Sequence, residues 1–314
     1  MRYLRFVCLA GFAMAQQKQA STYTYDIHGR RVEASRTATV RGADGSATVE
    51  SGTTINGRMA PKERVEERIL REDSTGRLVE RVVKRYDQNG SPLAAEKVRI
   101  EERRNADGSI QVATTVYRGD INGRFALAEK VVSETSRSGD VERTNTTVER
   151  PSINGSLEVT EKSSGATTKT ATGSRQDVVT YRRTDGRFSE AARRVTERVE
   201  KGTEVTETSH LYDSAVTGRM ELTGQTVSHS STAADGTAVT EVSVYGTNTP
   251  GWTGGGGQPH LREQQIIERK SGPGASTVET FSIRRPSPNN PNQLGAAQKI
   301  SETVCDGCSL QRKP

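Results

Sequence analysis

Few residues in this chain are spaced for chemistry, and the clearest pair is Cys305-Asp306-Gly307-Cys308. A redox CxxC needs its first cysteine at the start of a helix following a strand. Asp-Gly between two β-rich segments predicts a turn instead. Zinc needs four ligands and no second pair exists, so a disulfide between Cys305 and Cys308 is the expected use. His28, His210, His229 and His260 are scattered, with no pair at metal-ligand spacing. No G-x-S-x-G elbow is present, and Gly254 to Gly257 lack the Lys-Ser/Thr of a phosphate loop. Carboxylates occur in nearly every segment, so no pair stands out for acid–base work. No catalytic residue, metal site or cofactor is expected. The one abundant chemical group is guanidinium: 34 Arg against 11 Lys, in a chain of formal net charge +6. Arg forks bind carboxylate, sulfate or phosphate. Cross-strand pairing with Glu is the simpler use for them, and acidic polysaccharide or lipid headgroups the alternative.

The elements that would carry these groups repeat. A turn residue, Gly, then usually Arg and an apolar residue recurs at Gly29, Gly57, Gly90, Gly123, Gly155, Gly186 and Gly218, at steps of 28, 33, 33, 32, 31 and 32. A second set of turns lies between them, at Asp44-Gly45, Thr75-Gly76, Asp107-Gly108, Ser138-Gly139, Lys201-Gly202 and Asp235-Gly236. Glycine tolerates the left-handed backbone of hairpin turns, and the intervening Val, Thr, Ile and Tyr favour strands. Each unit of about 32 residues therefore reads as a β-hairpin. Centring one on Thr75-Gly76 sets Ile69 opposite Val82, Val65 opposite Tyr86 and Glu67 opposite Lys84. Centring the next on Asp107-Gly108 sets Val98 opposite Tyr117.

Tyr25-Asp26-Ile27-His28-Gly29-Arg30 resembles the core of YD-repeat (Rhs-like) proteins, and Tyr86-Asp87 with Gly90, and Tyr212-Asp213 with Gly218-Arg219-Met220, follow it loosely. Units of about 32 residues are longer than is usual in that family. The resemblance implies a secreted or surface protein whose antiparallel sheet winds into a shell or filament.

The expected fold is all-β: repeated hairpins forming a long antiparallel meander of about sixteen to eighteen strands, a curled single sheet that is solenoid- or shell-like. Residues 1–15 read as a secretory signal, 16–247 as the hairpin repeat region, 248–258 as a Gly-rich insertion carrying Trp252, and 259–314 as the final repeats with the CxxC. The expected function is a secreted, periplasmic or cell-surface scaffold without catalysis. An Arg-rich module for acidic polysaccharide or lipid headgroups is the first alternative. An outer-membrane β-barrel is the second, opposed by only 4% aromatic residues and by polar strands such as Val141 to Val148. The partner is unknown, with an acidic polysaccharide or cell-surface component the candidate. Neither nucleic acid nor a membrane span is expected.

Overall fold

The computed structural model describes residues 17–308 except 27, 56–57, 88, 121, 216, 248–258 and 288–289. The expected signal segment, the Trp252 insertion and Gly57 lie outside the described residues. The strands are β1 Gln17–Tyr25, β2 Arg31–Arg41, β3 Ala47–Ile55, β4 Arg58–Asp73, β5 Gly76–Tyr86, β6 Pro92–Arg104, β7 Ile110–Gly119, β8 Phe125–Ser138, β9 Val141–Pro151 and β10 Leu157–Thr170. They continue as β11 Gly173–Thr184, β12 Arg187–Lys201, β13 Glu204–Ser214, β14 Met220–Thr232, β15 Ala238–Gly246, β16 His260–Ser271, β17 Ser276–Arg284, the short pair β18 Pro286–Ser287 and β19 Asn290–Leu294, and β20 Gln298–Asp306.

Each long strand pairs antiparallel with its sequence neighbours, and β20 pairs with both β17 and β1. The 18-stranded sheet is therefore a closed barrel, not the curled open meander expected from sequence. Eighteen strands about 4.8 Å apart, tilted ~40°, give a wall about 35 Å across. The wall is a single layer. Val79 and Val83 are the only buried hydrophobic side chains among the described residues.

The two turn sets occupy opposite rims. The terminal rim holds the start of β1, the end of β20 and connections of two to five residues. The distal rim holds the connections marked by Gly29, Gly90, Gly123, Gly155, Gly186 and Gly218, together with the two long ones that join β15 to β16 and β17 to β20, while Gly76-Arg77 lies at the terminal rim. Most turns are not the expected two-residue type. Gly29, Gly90, Gly123, Gly155 and Gly218 each close a three-residue loop, with φ between 74° and 79°, and among the described residues Asp185-Gly186 alone has positive φ at both positions. In three of the distal loops an aspartate does the capping, while Ser152 and Ala215 hold the same position in two others. Asp26 Oδ1 accepts from the N–H of His28 and Arg30, Asp87 Oδ1 from Asn89 and Ser91, and Asp120 Oδ1 from Asn122 and Arg124, all at 2.8–2.9 Å. The Tyr-Asp-x-x-Gly-Arg string is thus local turn chemistry that any antiparallel hairpin can use.

Register differs from expectation because β4–β5 turns on Ser74-Thr75 and carries a bulge at Leu70, while β6–β7 turns on a three-residue loop. Val65 faces Val83, Ile69 faces Val79 and Glu67 faces Arg81, while Lys97, not Val98, faces Tyr117. Loop centres lie half to one and a half residues earlier than Thr75-Gly76 and Asp107-Gly108 suggested.

A further regularity lies in the ladders. Every hairpin at the distal rim contains a β-bulge, with the extra residue always on its second strand. The residues passed over include Ala34, Lys62, Ala128, Thr160, Ala191, Thr223, Arg262 and Ile300. Bulges increase local twist and bend the strand, and they favour barrel rims.

Candidate functional site: the barrel lumen

The lumen can be defined residue by residue once inner and outer faces are assigned. Right-handed strand twist makes the strands of a barrel rise to the right when seen from outside. Stepping across paired residues from β5 to β14 runs Gly76, Arg103, Gln111, Glu134, Asn145, Ser164, Val179, Arg193, Tyr212, Leu222, from the terminal rim to the distal one. With the distal rim drawn downward, strand number therefore increases to the right. The N–H of Lys169 bonds Asp140 O, so Val141 and Thr168 form a non-hydrogen-bonded pair and Val141 turns its own N–H and C=O back toward β8. For an L-residue on that descending strand, this direction puts the side chain outside. Glu200 N to Thr172 O gives the same answer for Gly173 on β11.

The inner face is polar. Its ion pairs include Arg81 with Glu67 at 2.6 Å near mid-height and, toward the distal rim, Arg85 with Glu63 at 3.2 Å, Arg150 with Glu129 at 2.8 Å and Arg182 with Glu161 at 3.2 Å. Cross-strand hydroxyl pairs also fall there: Ser133–Thr146 at 2.8 Å, Thr135–Thr144 at 3.0 Å, Thr196–Ser209 at 3.2 Å, Ser230–Thr240 at 2.9 Å and Thr22–Thr303 at 3.0 Å. Hydroxyl and charged groups hold water, and a bore this wide leaves room for it. Connections of up to five residues span at most ~18 Å and cannot cross such a bore. In the connection from β17 to β20, the short strands β18 and β19 pack against β16 at the rim.

The outer face carries ion pairs as well. Arg193 meets Asp177 with Nε–Oδ1 at 2.9 Å, Lys97 and Arg99 share Glu80 at 2.8 and 3.0 Å, and Arg175 meets Glu197 at 3.1 Å. An uninterrupted apolar band is therefore absent from the described outer face. Arg, expected to pair across strands, does so on both faces.

The closed barrel is similar to a known one. It resembles Pseudomonas aeruginosa OpdO. The match covers 92% of this chain and 94% of that one, at 8% identity and a TM-score of 0.54, a likeness of fold alone. Salmonella typhi OmpF in complex with daunomycin aligns over 92% of this chain and 95% of its own, at 11% identity and a TM-score of 0.47. No family model matches the chain, and no curated protein matches it. The closure of this chain's own 18-stranded sheet, with its likeness of fold to OpdO, overturns the YD-repeat resemblance and the solenoid or shell it implied.

The residues singled out from sequence sit away from the lumen's middle. Gly29, Gly90, Gly123, Gly155, Gly186 and Gly218 mark distal connections. Cys305 and Cys308 have Cα atoms 5.6 Å apart at the terminal rim, with their sulfurs in bonding contact. His210 and His229 point outward, His260 inward, and His28 sits in a turn. No group of three metal-ligating side chains forms among the described residues. What sequence reasoning missed is the hydroxyl ladder. Its signal was present as Ser/Thr at every second position of segments such as Thr144-Asn145-Thr146, but it has no meaning until the inner face is known.

Proposed function

We propose that the chain is an outer-membrane β-barrel of porin type, whose water-filled lumen passes small hydrophilic solutes. This replaces both the scaffold role and the absence of a membrane span expected from sequence. The observation that carries it is the closure of 18 antiparallel strands around an inner face of hydroxyl and ion pairs that no described connection crosses. Sixteen to eighteen strands are the number at which a barrel leaves an aqueous channel. A wall of strands averaging about twelve residues and tilted ~40° stands about 30 Å tall, the thickness of a bilayer's hydrocarbon core. Short turns with the start of β1 and the end of β20 at one rim and longer connections at the other repeat the asymmetry of such barrels. Export through a signal over residues 1–15 fits the same compartment.

The test is reconstitution. The chain, refolded into phosphatidylcholine vesicles, is expected to float with them and to release entrapped sugars below a size limit, and to produce conductance steps in a planar bilayer. A chain that stays at the bottom of the flotation gradient and gives no conductance would refute this function.

A further inference from the structure

Set into the polar lining of the lumen is an aliphatic tract on β5 to β8. Val79 faces Ile100 across β5 and β6, Val98 faces Val116 across β6 and β7, and Val131 on β8 faces Thr114, the other partner of Ile100. These side chains share the inner face with Arg81, which stands opposite Val98 and pairs with Glu67. Val79 and Val83 are 7% and 8% exposed, so the tract is packed most tightly on β5. On its distal side the tract ends at two charges. Glu96 lies between Val83 on one neighbouring strand and Arg118 on the other, two residues before Val98, and Arg118 lies two residues after Val116.

Glu96 and Arg118 are opposite in charge and directly across from each other, yet no ion pair joins them. The inward charges around them are already taken: Arg85 meets Glu63, Arg81 meets Glu67, and Glu129 meets Arg150. Arg118 is exposed to the lumen and Glu96 is half-buried. A guanidinium and a carboxylate held apart in this way match an ammonium and a carboxylate borne on one carbon. The ligand's carboxylate would accept from Arg118 and its ammonium would donate to Glu96. Strand spacing then fixes the path of the rest of the molecule. Residues two apart on a strand are ~6.7 Å apart, so a tail leading from the charged pair toward the terminal rim crosses Val98 and Val116 first and Ile100 next. Strand preference accounts for Val and Ile on either face. It does not account for two opposite charges left unjoined at the tract's end.

We propose that this stretch of the lumen wall binds zwitterionic solutes that carry an aliphatic tail, with the head on Glu96 and Arg118 and the tail along Val98, Val116 and Ile100. The proposal rests on the porin reading above and deepens it by naming a solute class and the strands that meet it. A wall covers only one side of a tail, so each added methylene gains about half of what full burial would give, roughly a twofold tightening. The two head contacts are exposed to lumen water, and each contributes up to about fivefold.

The test uses the full chain in phosphatidylcholine vesicles, with flotation and conductance scored separately. Saturation-transfer NMR, with protein-free vesicles subtracted, compares alanine, norleucine and 2-aminooctanoate. Hexanoate and hexylamine, matched to norleucine in length, each lack one half of the head. Binding is expected to tighten from alanine to 2-aminooctanoate and to be weaker for either half-headed probe than for norleucine. Arg118→Gln and Glu96→Gln should each weaken norleucine by up to about fivefold, and Val98→Ser with Val116→Ser should flatten the dependence on tail length. Circular dichroism checks that each variant keeps its strands. If the chain floats and conducts but its affinity ignores tail length, or is unchanged by both Gln variants, this site is overturned and the pore stands. A chain that neither floats nor conducts overturns the pore reading and the site with it.

Discussion

The ion pair Arg193–Asp177 offers a sharp test of the face assignment. It lies near the middle of β11 and β12 on the outer face, joined by two parallel contacts, with the side chains 45% and 30% exposed. If that face meets acyl chains, Asp177→Leu strands an unpaired guanidinium near the bilayer's middle. An Arg or Lys there costs about 2–4 kcal/mol, roughly thirty- to several-hundred-fold in the folding equilibrium. Arg193→Leu leaves an unpaired carboxylate, for which the cost is smaller. Replacing both removes both charges and adds apolar surface, and is expected to restore or exceed the parent's stability. The inner pair Arg81–Glu67, at 2.6 Å, is the control: in a water-filled lumen such a pair contributes ~0–1 kcal/mol, so each of its three Leu variants should move stability little. Reversible urea unfolding from phosphatidylcholine vesicles, followed by tryptophan fluorescence, measures all six. If the outer Leu/Leu variant is as damaged as Asp177→Leu, or if the inner set shows the larger effects, the faces have been assigned the wrong way round.

Three further outcomes are expected. A Cβ on Gly76 would lie 2.0 Å from Glu102 O, and one on Gly173 would lie 1.9 Å from Arg198 O, so Ala at either should cost more than the ~1 kcal/mol expected of Gly123→Ala, which meets only its φ of 77°; denaturant midpoints rank them. The turn aspartates Asp44 and Asp107 are held below the usual carboxylate range by the Ser46 and Ser109 hydroxyls, and Asp235 by the Thr237 N–H. A depressed folded pKa adds stability that is present above the unfolded value near 4 and lost as pH falls through the folded one, so Asp107→Asn should lower Tm at pH 7 by a margin that shrinks as the solution is acidified below the unfolded value. Finally, Cys305 and Cys308 are proposed to form a disulfide, and closing so short a loop constrains the unfolded chain by no more than about 2 kcal/mol; Cys305→Ser with Cys308→Ser should shift the denaturant midpoint slightly and leave conductance intact.

The elements of this fold were legible locally and its closure was not. Glycine spacing and β-branched composition identify a hairpin meander of the right strand number, because turns and strands depend on neighbouring residues. The β1–β20 pairing joins Gln19 to Asp306 across nearly the whole chain, and no local pattern encodes that contact. Register failed by a smaller margin. The Asp-x-x-Gly turns carry three loop residues instead of two, and the bulged positions are filled by Ala, Lys, Thr, Arg and Ile, which share no chemistry. A strict period of two read through such a bulge assigns the residues beyond it to the wrong face.

Closure itself follows from the unequal lengths of paired strands. A flat antiparallel meander of this width would be free to coil as an open sheet. Here the second strand of each distal hairpin from β1–β2 to β15–β16 is longer than the first. The bulge takes up one extra residue, and the rest displace the ladder in the same direction at each hairpin, so the offsets add instead of cancelling. Their accumulation appears in the path from Gly76 at the terminal rim to Leu222 at the distal rim after nine steps between neighbouring strands. A barrel closes only when strand number, tilt and this stagger agree. The repeat of about 32 residues therefore encodes more than a hairpin: its short and long strands set the stagger, and the number of units sets the circumference over which β20 returns to β1. Shortening a single long strand such as β8 would break that agreement at one seam, whereas deleting a whole unit would leave the stagger per hairpin intact and yield a narrower barrel.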